Sequence, residues 1–371
     1  MSKEERIQSL FQPTFGNRPE QYIGRDDVIA QFMEGLREPV GSRNRCTLFL
    51  GQRGMGKTAL LLELSDRASK ANYIVARVTA HEGMPKAIIE QFQLNGSQYF
   101  KVEKRKLTGV SAGALGFSFG LTFSEAAEHQ YGFRSKMSLL CDKFAEKGKG
   151  ALILIDEVRT SAAMREVASA YQELVGDRKN IAIAMAGLPH AVSSVLNDSV
   201  LTFLNRAKKA ELGPISTNLI RAYFEKAFRW AGIAISNDLL DQSASATHGF
   251  PYLLQLLGYY IIQYTPKGGI VTKAILDKAG KAAMGDMDDN VFKPILAPLS
   301  NNDKVFLRAL ARCGGTATTA RLQAALGKKG PALQPYRKRL IEAGVIESPR
   351  RGELVFAMPY LAEYLLASKD S

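Results

Sequence analysis

Along its first half the chain alternates short apolar runs with longer stretches in which apolar positions recur every three or four residues. Residues 47–50 form a β-type run that enters a glycine-rich loop, and a helical pattern follows over 57–68. Residues 73–79, 151–155 and 181–186 are further strand candidates, separated by helical patterns. The run 151–155, Ala-Leu-Ile-Leu-Ile, has no polar position, as expected of a central parallel strand covered on both faces. This β-α-β-α rhythm predicts an α/β core, a parallel sheet with helices on both faces. One stretch breaks the rhythm. Residues 107–121, LTGVSAGALGFSFGL, alternate apolar and small residues and read as a β-hairpin inserted at 100–125, preceded by the basic tract Lys101, Lys104, Arg105 and Lys106. Two readings fit it: a finger that contacts DNA or a partner, or a solvated strand pair on the sheet edge.

The second half has a different texture. Gly213 and Pro214 precede an almost wholly helical pattern over 216–287, interrupted at Gly268-Gly269, and Pro294 and Pro298 punctuate a junction after it. From residue 300 the pattern predicts helices at 302–312, at 318–326 with Gly327 as its cap, and at 335–343. A strand then starts at Gly344, Val345 and Ile346, Pro349 to Gly352 make a turn, and 354–357 return as a second strand. Three helices followed by a hairpin is the winged-helix order. The expected domains are a core over 1–214, a helical lid over 215–295 and a winged helix over 296–371. No repeat of 20 to 50 residues is visible.

The loop after the first strand carries the strongest chemical signal. Gly51, Gln52, Arg53, Gly54, Met55, Gly56, Lys57 and Thr58 satisfy G-x-x-x-x-G-K-[ST] at every fixed position, between an expected strand and an expected helix that continues through Ala59. Glycines let backbone N–H groups turn inward around phosphates, and the helix N-terminus adds partial positive charge. Lys57 is expected to reach the β- and γ-phosphates of ATP, and the Thr58 hydroxyl to coordinate Mg2+. The apolar run 151–155 ends in Asp156 and Glu157. Ligands of open α/β sheets bind at the carboxyl ends of strands. Asp156 is therefore the candidate for holding the magnesium water shell, and Glu157 for orienting and activating the attacking water.

Loop, acidic strand end, helical lid and winged helix together resemble the AAA+ and STAND-related P-loop ATPases, and within them the Orc1/Cdc6-like and archaeal-type ATPases of prokaryotes. The resemblance spans nearly the whole chain. It implies that Ile23, Gly24 and Arg25, in the stretch from Pro19 to Asp26, lie against the adenine. It also implies that Pro251, in His248-Gly249-Phe250-Pro251-Tyr252, belongs to a nucleotide-contacting lid motif. Arg206, in Phe203-Leu-Asn-Arg206, falls where related proteins carry an arginine finger that acts on a neighbouring subunit, which implies self-assembly. The alternative for Arg206 is a surface basic cluster with Lys208 and Lys209, before an apparent strand at Glu211-Leu212. Two positions depart from the family. The fourth strand ends in Ala186 and Gly187 where a polar residue is usual, and the lid motif lacks the usual arginine. Both departures favour a slow switch over a fast motor.

Composition adds a partner class. The 371 residues suit two or three domains, and 46% hydrophobic with 23% charged residues is ordinary for a globular protein. The net charge is +13, and residues 300–371 hold twelve Lys and Arg against six Asp and Glu, nearly half of that excess. A local surplus on a winged helix points to double-stranded DNA, with Lys328, Lys329, Arg337, Arg339, Arg350 and Arg351 as candidate contacts. The alternative is a winged helix that binds protein, as in a STAND-type signalling switch; a non-hydrolysing nucleotide-binding scaffold is a third reading. Cys46, Cys141 and Cys313 make no zinc motif and argue against a disulfide framework. The start Met-Ser-Lys-Glu-Glu-Arg lacks a signal-peptide pattern, and no apolar run is long enough for a membrane span, so a reducing, cytoplasmic setting is expected.

Overall fold

The computed structural model of the chain describes residues 10–13, 22–100, 117–119, 121–123, 130–327 and 330–368. Two compact units are built from them. One comprises Arg25–Gly51 and Lys57–Leu212; the other comprises Gln52–Gly56, the chain from Gly213 onward and the described residues before Arg25.

The first unit runs α1 (Asp26–Gly35), β1 (Cys46–Leu50), α2 (Lys57–Lys70), β2 (Tyr73–Thr79) and α3 (Met84–Gly96). After the short strands β3 (Phe117–Phe119) and β4 (Thr122–Phe123) come α4 (Phe133–Ala145), β5 (Gly150–Asp156) and α5 (Ala162–Gly176). It closes with β6 (Ile181–Gly187), α6 (Pro189–Leu196) and β7 (Lys208–Glu211). The five long strands form one sheet in the order β2-β5-β6-β1-β7, with every pairing parallel. This is the α/β core the rhythm predicts, except that β7 starts at Lys208, three residues before the expected strand at Glu211-Leu212, and ends at Glu211. Every residue of β5 and β6 is buried. Helices hold their places by one apolar face each: Leu60, Leu61 and Leu64 of α2, and Val167, Tyr171 and Leu174 of α5, are buried in or against the sheet. Ser161 caps α5 by accepting a hydrogen bond from the Met164 N–H at 3.0 Å.

Part of the insert is also described. β3 and β4 pair antiparallel, with Phe117 opposite Phe123, and Leu121 and Phe123 are buried in the core of this unit. Gln93 Nε2 donates to the Leu121 carbonyl at 2.8 Å. Those residues cover the core. The basic tract Lys101, Lys104, Arg105 and Lys106 lies outside the described residues.

The second unit is helical and then mixed. Helices α7 (Thr217–Ala231), α8 (Asn237–Ala246), α9 (Pro251–Tyr264) and α10 (Lys273–Met287) surround a cluster that includes Ile220, Phe224, Phe228, Leu254 and Ile261. Phe11 inserts into this cluster, and a Cβ on Gly258 of α9 would overlap its ring. A π-turn (Asp288–Phe292) and the short α11 (Lys293–Leu296) lead to α12 (Asn301–Arg312), β8 (Thr316–Thr318), α13 (Thr319–Leu326) and α14 (Gly330–Glu342). A hairpin of β9 (Ile346–Glu347) and β10 (Glu353–Phe356) follows, then α15 (Leu361–Ala367). β10 lies between β8 and β9, antiparallel to both. Strand β8 is too short and polar to show as a pattern. Helix α14 begins five residues before the expected start at Pro335, which sits inside it. Burial of Leu333 on the preceding turn supports the earlier start.

Asp303 ties this region together. Ser300 and Asp303 form a capping box at the head of α12, and Asp303 Oδ1 accepts from Arg339 Nη2 of α14 at 2.8 Å. Burial by itself would raise the Asp303 carboxyl, but hydrogen bonds from Arg339 and Ser300 outweigh it and hold the group below its ordinary value. A depressed carboxyl contributes stability that is present above its unfolded-state pKa and lost as pH falls through the folded one. Asp303→Ala is expected to cost about 2 kcal/mol through lost cap and hydrogen bonds. Urea unfolding followed by circular dichroism at neutral pH should show it, and the gap to wild type should shrink in acid. Among the described residues no helix is long and apolar enough to cross a membrane.

Candidate functional site

In the first unit, β1, β5 and β6 end together. Leu50 pairs with Gly187, and Ile155 with Met185, so the carboxyl ends of these strands share one edge. At this edge Thr58, on the first turn of α2, meets Asp156, the last residue of β5. The Thr58 hydroxyl donates to Asp156 Oδ2 at 2.6 Å. Asp156 is 7% exposed, and its other oxygen accepts from the Glu157 N–H at 2.9 Å. Lys57 Nζ donates to the Gly51 carbonyl at 2.8 Å. Asp156, 98 residues from Thr58 in sequence, is thus brought to the loop that holds Gly51, Lys57 and Thr58. A hydroxyl and a buried carboxylate are hard oxygen donors, the set that magnesium accepts with most of its waters retained.

Glu157 is exposed and has φ +53, a left-handed conformation rare outside glycine. Both neighbours enforce it. Its N–H is held by Asp156, and the next residue, Val158, donates from its N–H to the Ala186 carbonyl at 2.9 Å. Strain of this kind persists only where the surroundings over-determine it, and it concentrates at functional positions. Val158 also explains why β6 ends in glycine. A Cβ on Gly187 would lie 2.6 Å from Val158 Cγ1, so the close approach of the β5 exit excludes a side chain there.

Between Gly51 and Lys57 the loop turns on Gly54 and Gly56, with φ +77 and +79. Gln52, Arg53, Gly54, Met55 and Gly56 count with the second unit. Within that unit the Phe250 ring lies against Gly54, where a Cβ would overlap it. Phe250 is 1% exposed and is the N-cap of α9, immediately before Pro251. Glu347 of β9 is hydrogen-bonded to the Gln52 side chain; burial pushes its carboxyl up and the Gln52 bond offsets part of that. Sequence reasoning missed both contacts. The Phe250 signal was present in the His-Gly-Phe-Pro motif. Glu347 carries no local signal, because an acidic residue beside a turn looks like any solvated one.

The remaining candidates are placed as follows. Gly24 has φ +65, and a Cβ there would press on Ile215 Cγ2 at 3.1 Å. Ile23 packs on the helical cluster of the second unit. In the first unit Arg25 precedes α1, and burial lowers its guanidinium from the ordinary value. Ala59 is half-buried on α2. Arg206 ends the 3-10 turn Thr202–Arg206, exposed and without a side-chain hydrogen bond or ion pair among the described residues. Of the basic candidates, Arg339 pairs with Asp303, and Arg337 Nη2 donates to Ser348 Oγ at 2.8 Å. Ser348 in turn donates toward the Arg350 and Glu353 carbonyls and so ties the hairpin turn to α14. Arg350 and Arg351 are exposed at the tip. Lys328 and Lys329 lie outside the described residues.

One protein family, described as a domain of unknown function, DUF8462, matches residues 289–365. No curated protein matches the chain. Among solved structures, the Walker-type ATPase PABY2304 of Pyrococcus abyssi is similar at 17% identity and TM-score 0.67, over 96% of this chain and 99% of that one. Weaker likenesses include Cdc6p of Pyrobaculum aerophilum, at 16% identity and TM-score 0.46 over 95% and 97% of the two chains. The RuvB Holliday junction branch migration motor of Thermotoga maritima follows at 16% and 0.47, over 97% and 100%. On the strength of the first of these and of the sheet described above, the fold is that of the Walker-type P-loop ATPases, the class to which the motifs pointed.

Proposed function

We propose that this protein binds ATP with magnesium, hydrolyses it slowly, and couples nucleotide state to DNA binding by a C-terminal winged helix. The observation that carries the nucleotide reading is the 2.6 Å hydrogen bond from Thr58 to Asp156 beside Lys57. Magnesium, when bound, would neutralise phosphate charge there. Thr58 would hold it directly and Asp156 through its water shell, Lys57 would hold the β- and γ-phosphates, and Glu157 would orient the attacking water. Ile23, Gly24 and Arg25 would lie against the base, and Pro251 would contact the nucleotide as part of the lid motif. The absence of a polar side chain at Ala186 and Gly187 supports slow turnover.

Helix, strand, two helices and hairpin over α12 to β10 support the winged-helix reading, and the positive surplus of residues 300–371 supports DNA as its partner. Because Arg337 and Arg339 are engaged inside the unit, Arg350 and Arg351 become the leading phosphate contacts, with Lys328 and Lys329 as further candidates. The same engagement favours the second reading, a signalling switch whose main partner is a protein. A salt titration of the full chain against a random duplex with ATP separates them. Arg350→Ala with Arg351→Ala should weaken binding about tenfold or more at low salt and reduce the salt slope by roughly two. Duplex affinity untouched by the double substitution would remove the hairpin tip from the interface.

A further inference from the structure

The turn that carries Arg350 and Arg351 is held from two helices of its own unit. On one side, Arg337 Nη2 of α14 donates to Ser348 Oγ at 2.8 Å. Ser348 Oγ donates in turn toward the Arg350 carbonyl at 3.0 Å and the Glu353 carbonyl at 2.9 Å, which share its one proton. On the other side, the Gly352 carbonyl accepts twice from Thr319, the first residue of α13: from its N–H at 2.7 Å and from its hydroxyl at 3.1 Å. The turn also closes on itself, because the Glu353 N–H donates to the Arg350 carbonyl at 3.1 Å. That closure takes a left-handed residue at its third position, and Gly352 supplies it with φ +83. Pro349 fixes a further φ just before it. Strand register does not require these ties, since β10 already pairs with both β8 and β9. The side chains at the tip are the opposite of tied. Those of Arg350 and Arg351 are exposed and make no ion pair or hydrogen bond among the described residues.

We propose that Thr319, Arg337 and Ser348 are positioning residues for duplex binding: they hold the turn so that Arg350 and Arg351 meet the phosphate backbone at a fixed spacing, and Arg337 itself takes no phosphate. The proposal rests on the DNA reading above and deepens it. Its physical basis is pre-organisation. A loop that must order itself on binding gives up affinity, and a turn already ordered in the free protein avoids that loss. Charge and position leave different marks. A side chain that neutralises a phosphate releases counterions, so its removal lowers the salt dependence of binding; a side chain that only holds the turn changes affinity at every salt concentration alike. Arg337 carries the charge of a contact residue, but its Nη2 is committed to Ser348, which places it with the supports. The region matched as a domain of unknown function contains all five residues, so the arrangement lies wholly inside it.

The test is fluorescence anisotropy of a random duplex with the full chain and ATP across a salt series, paired with hydrogen exchange over residues 350–353 of the free protein. Ser348→Ala and Thr319→Val should each weaken binding about three- to tenfold, keep the wild-type salt slope and speed exchange in the turn. Ser348→Thr, which keeps the hydroxyl, should bind and exchange as wild type does. Arg337→Met removes a bond and a charge together. Weaker binding at the wild-type slope supports the positioning role, whereas a slope smaller by about one would make Arg337 a phosphate contact and overturn that role. Wild-type binding with Ser348→Ala and Thr319→Val unchanged in affinity and exchange would overturn the proposal and leave the DNA reading standing. Wild type that binds no duplex would overturn both.

Discussion

Lys57→Ala is expected to weaken ATP binding by a hundredfold or more, to below detection in an ordinary titration. Lys57 is the first residue of α2, directly after the glycine turn, and its ammonium reaches the Gly51 carbonyl at 2.8 Å. In the proposed site it would take two phosphate oxygens. Charge-assisted hydrogen bonds contribute about 1.5–3 kcal/mol each, so two of them account for a loss of this size. Helix α2 is anchored by Leu60, Leu61 and Leu64, which the substitution does not touch, so the fold should survive. Isothermal calorimetry with magnesium-ATP measures the effect, and circular dichroism checks the fold. Undiminished binding by the mutant would place the nucleotide elsewhere.

Glu157→Gln should leave ATP binding close to wild type while phosphate release falls about a hundred- to a thousandfold, the usual range for removing a general base. The two side chains are nearly isosteric, and the left-handed backbone at 157 is held by Asp156 and by the bond from Val158 to Ala186, neither of which involves the Glu157 carboxylate. Binding and turnover therefore separate cleanly here. Equal, background-level release from wild type and mutant would identify a nucleotide-binding scaffold. The same variant tests the finger role of Arg206, whose side chain is exposed and without a hydrogen bond or ion pair among the described residues. Mixed with Arg206→Ala protein, Glu157→Gln should restore part of the turnover if the arginine acts on a neighbouring subunit, because some interfaces then pair an intact Glu157 with an intact Arg206. No rescue in a mixed oligomer verified by sedimentation would leave Arg206 as surface charge.

What could be read from the chain alone was whatever local chemistry specifies. The loop from Gly51 to Thr58 is legible because phosphate binding demands left-handed glycines, a lysine and a hydroxyl within eight consecutive positions. Strand β5 is legible because burial on both faces strips every polar residue from positions 151–155. Helix α13 shows through Gly327, which ends it in a left-handed turn, whereas the Ser300–Asp303 cap of α12 emerged only in the structure. Tertiary structure alone decided the rest. Strand order, the meeting of Thr58 with Asp156, the engagement of Arg337 and Arg339, and the contacts of Gln52 with Glu347 and Gly54 with Phe250 all join residues far apart along the chain. No short-range pattern encodes such pairings, because a side chain's partner across the fold is chosen by the packing of whole elements, and an arginine that bridges two helices has the same sequence neighbours as one that reaches for a phosphate.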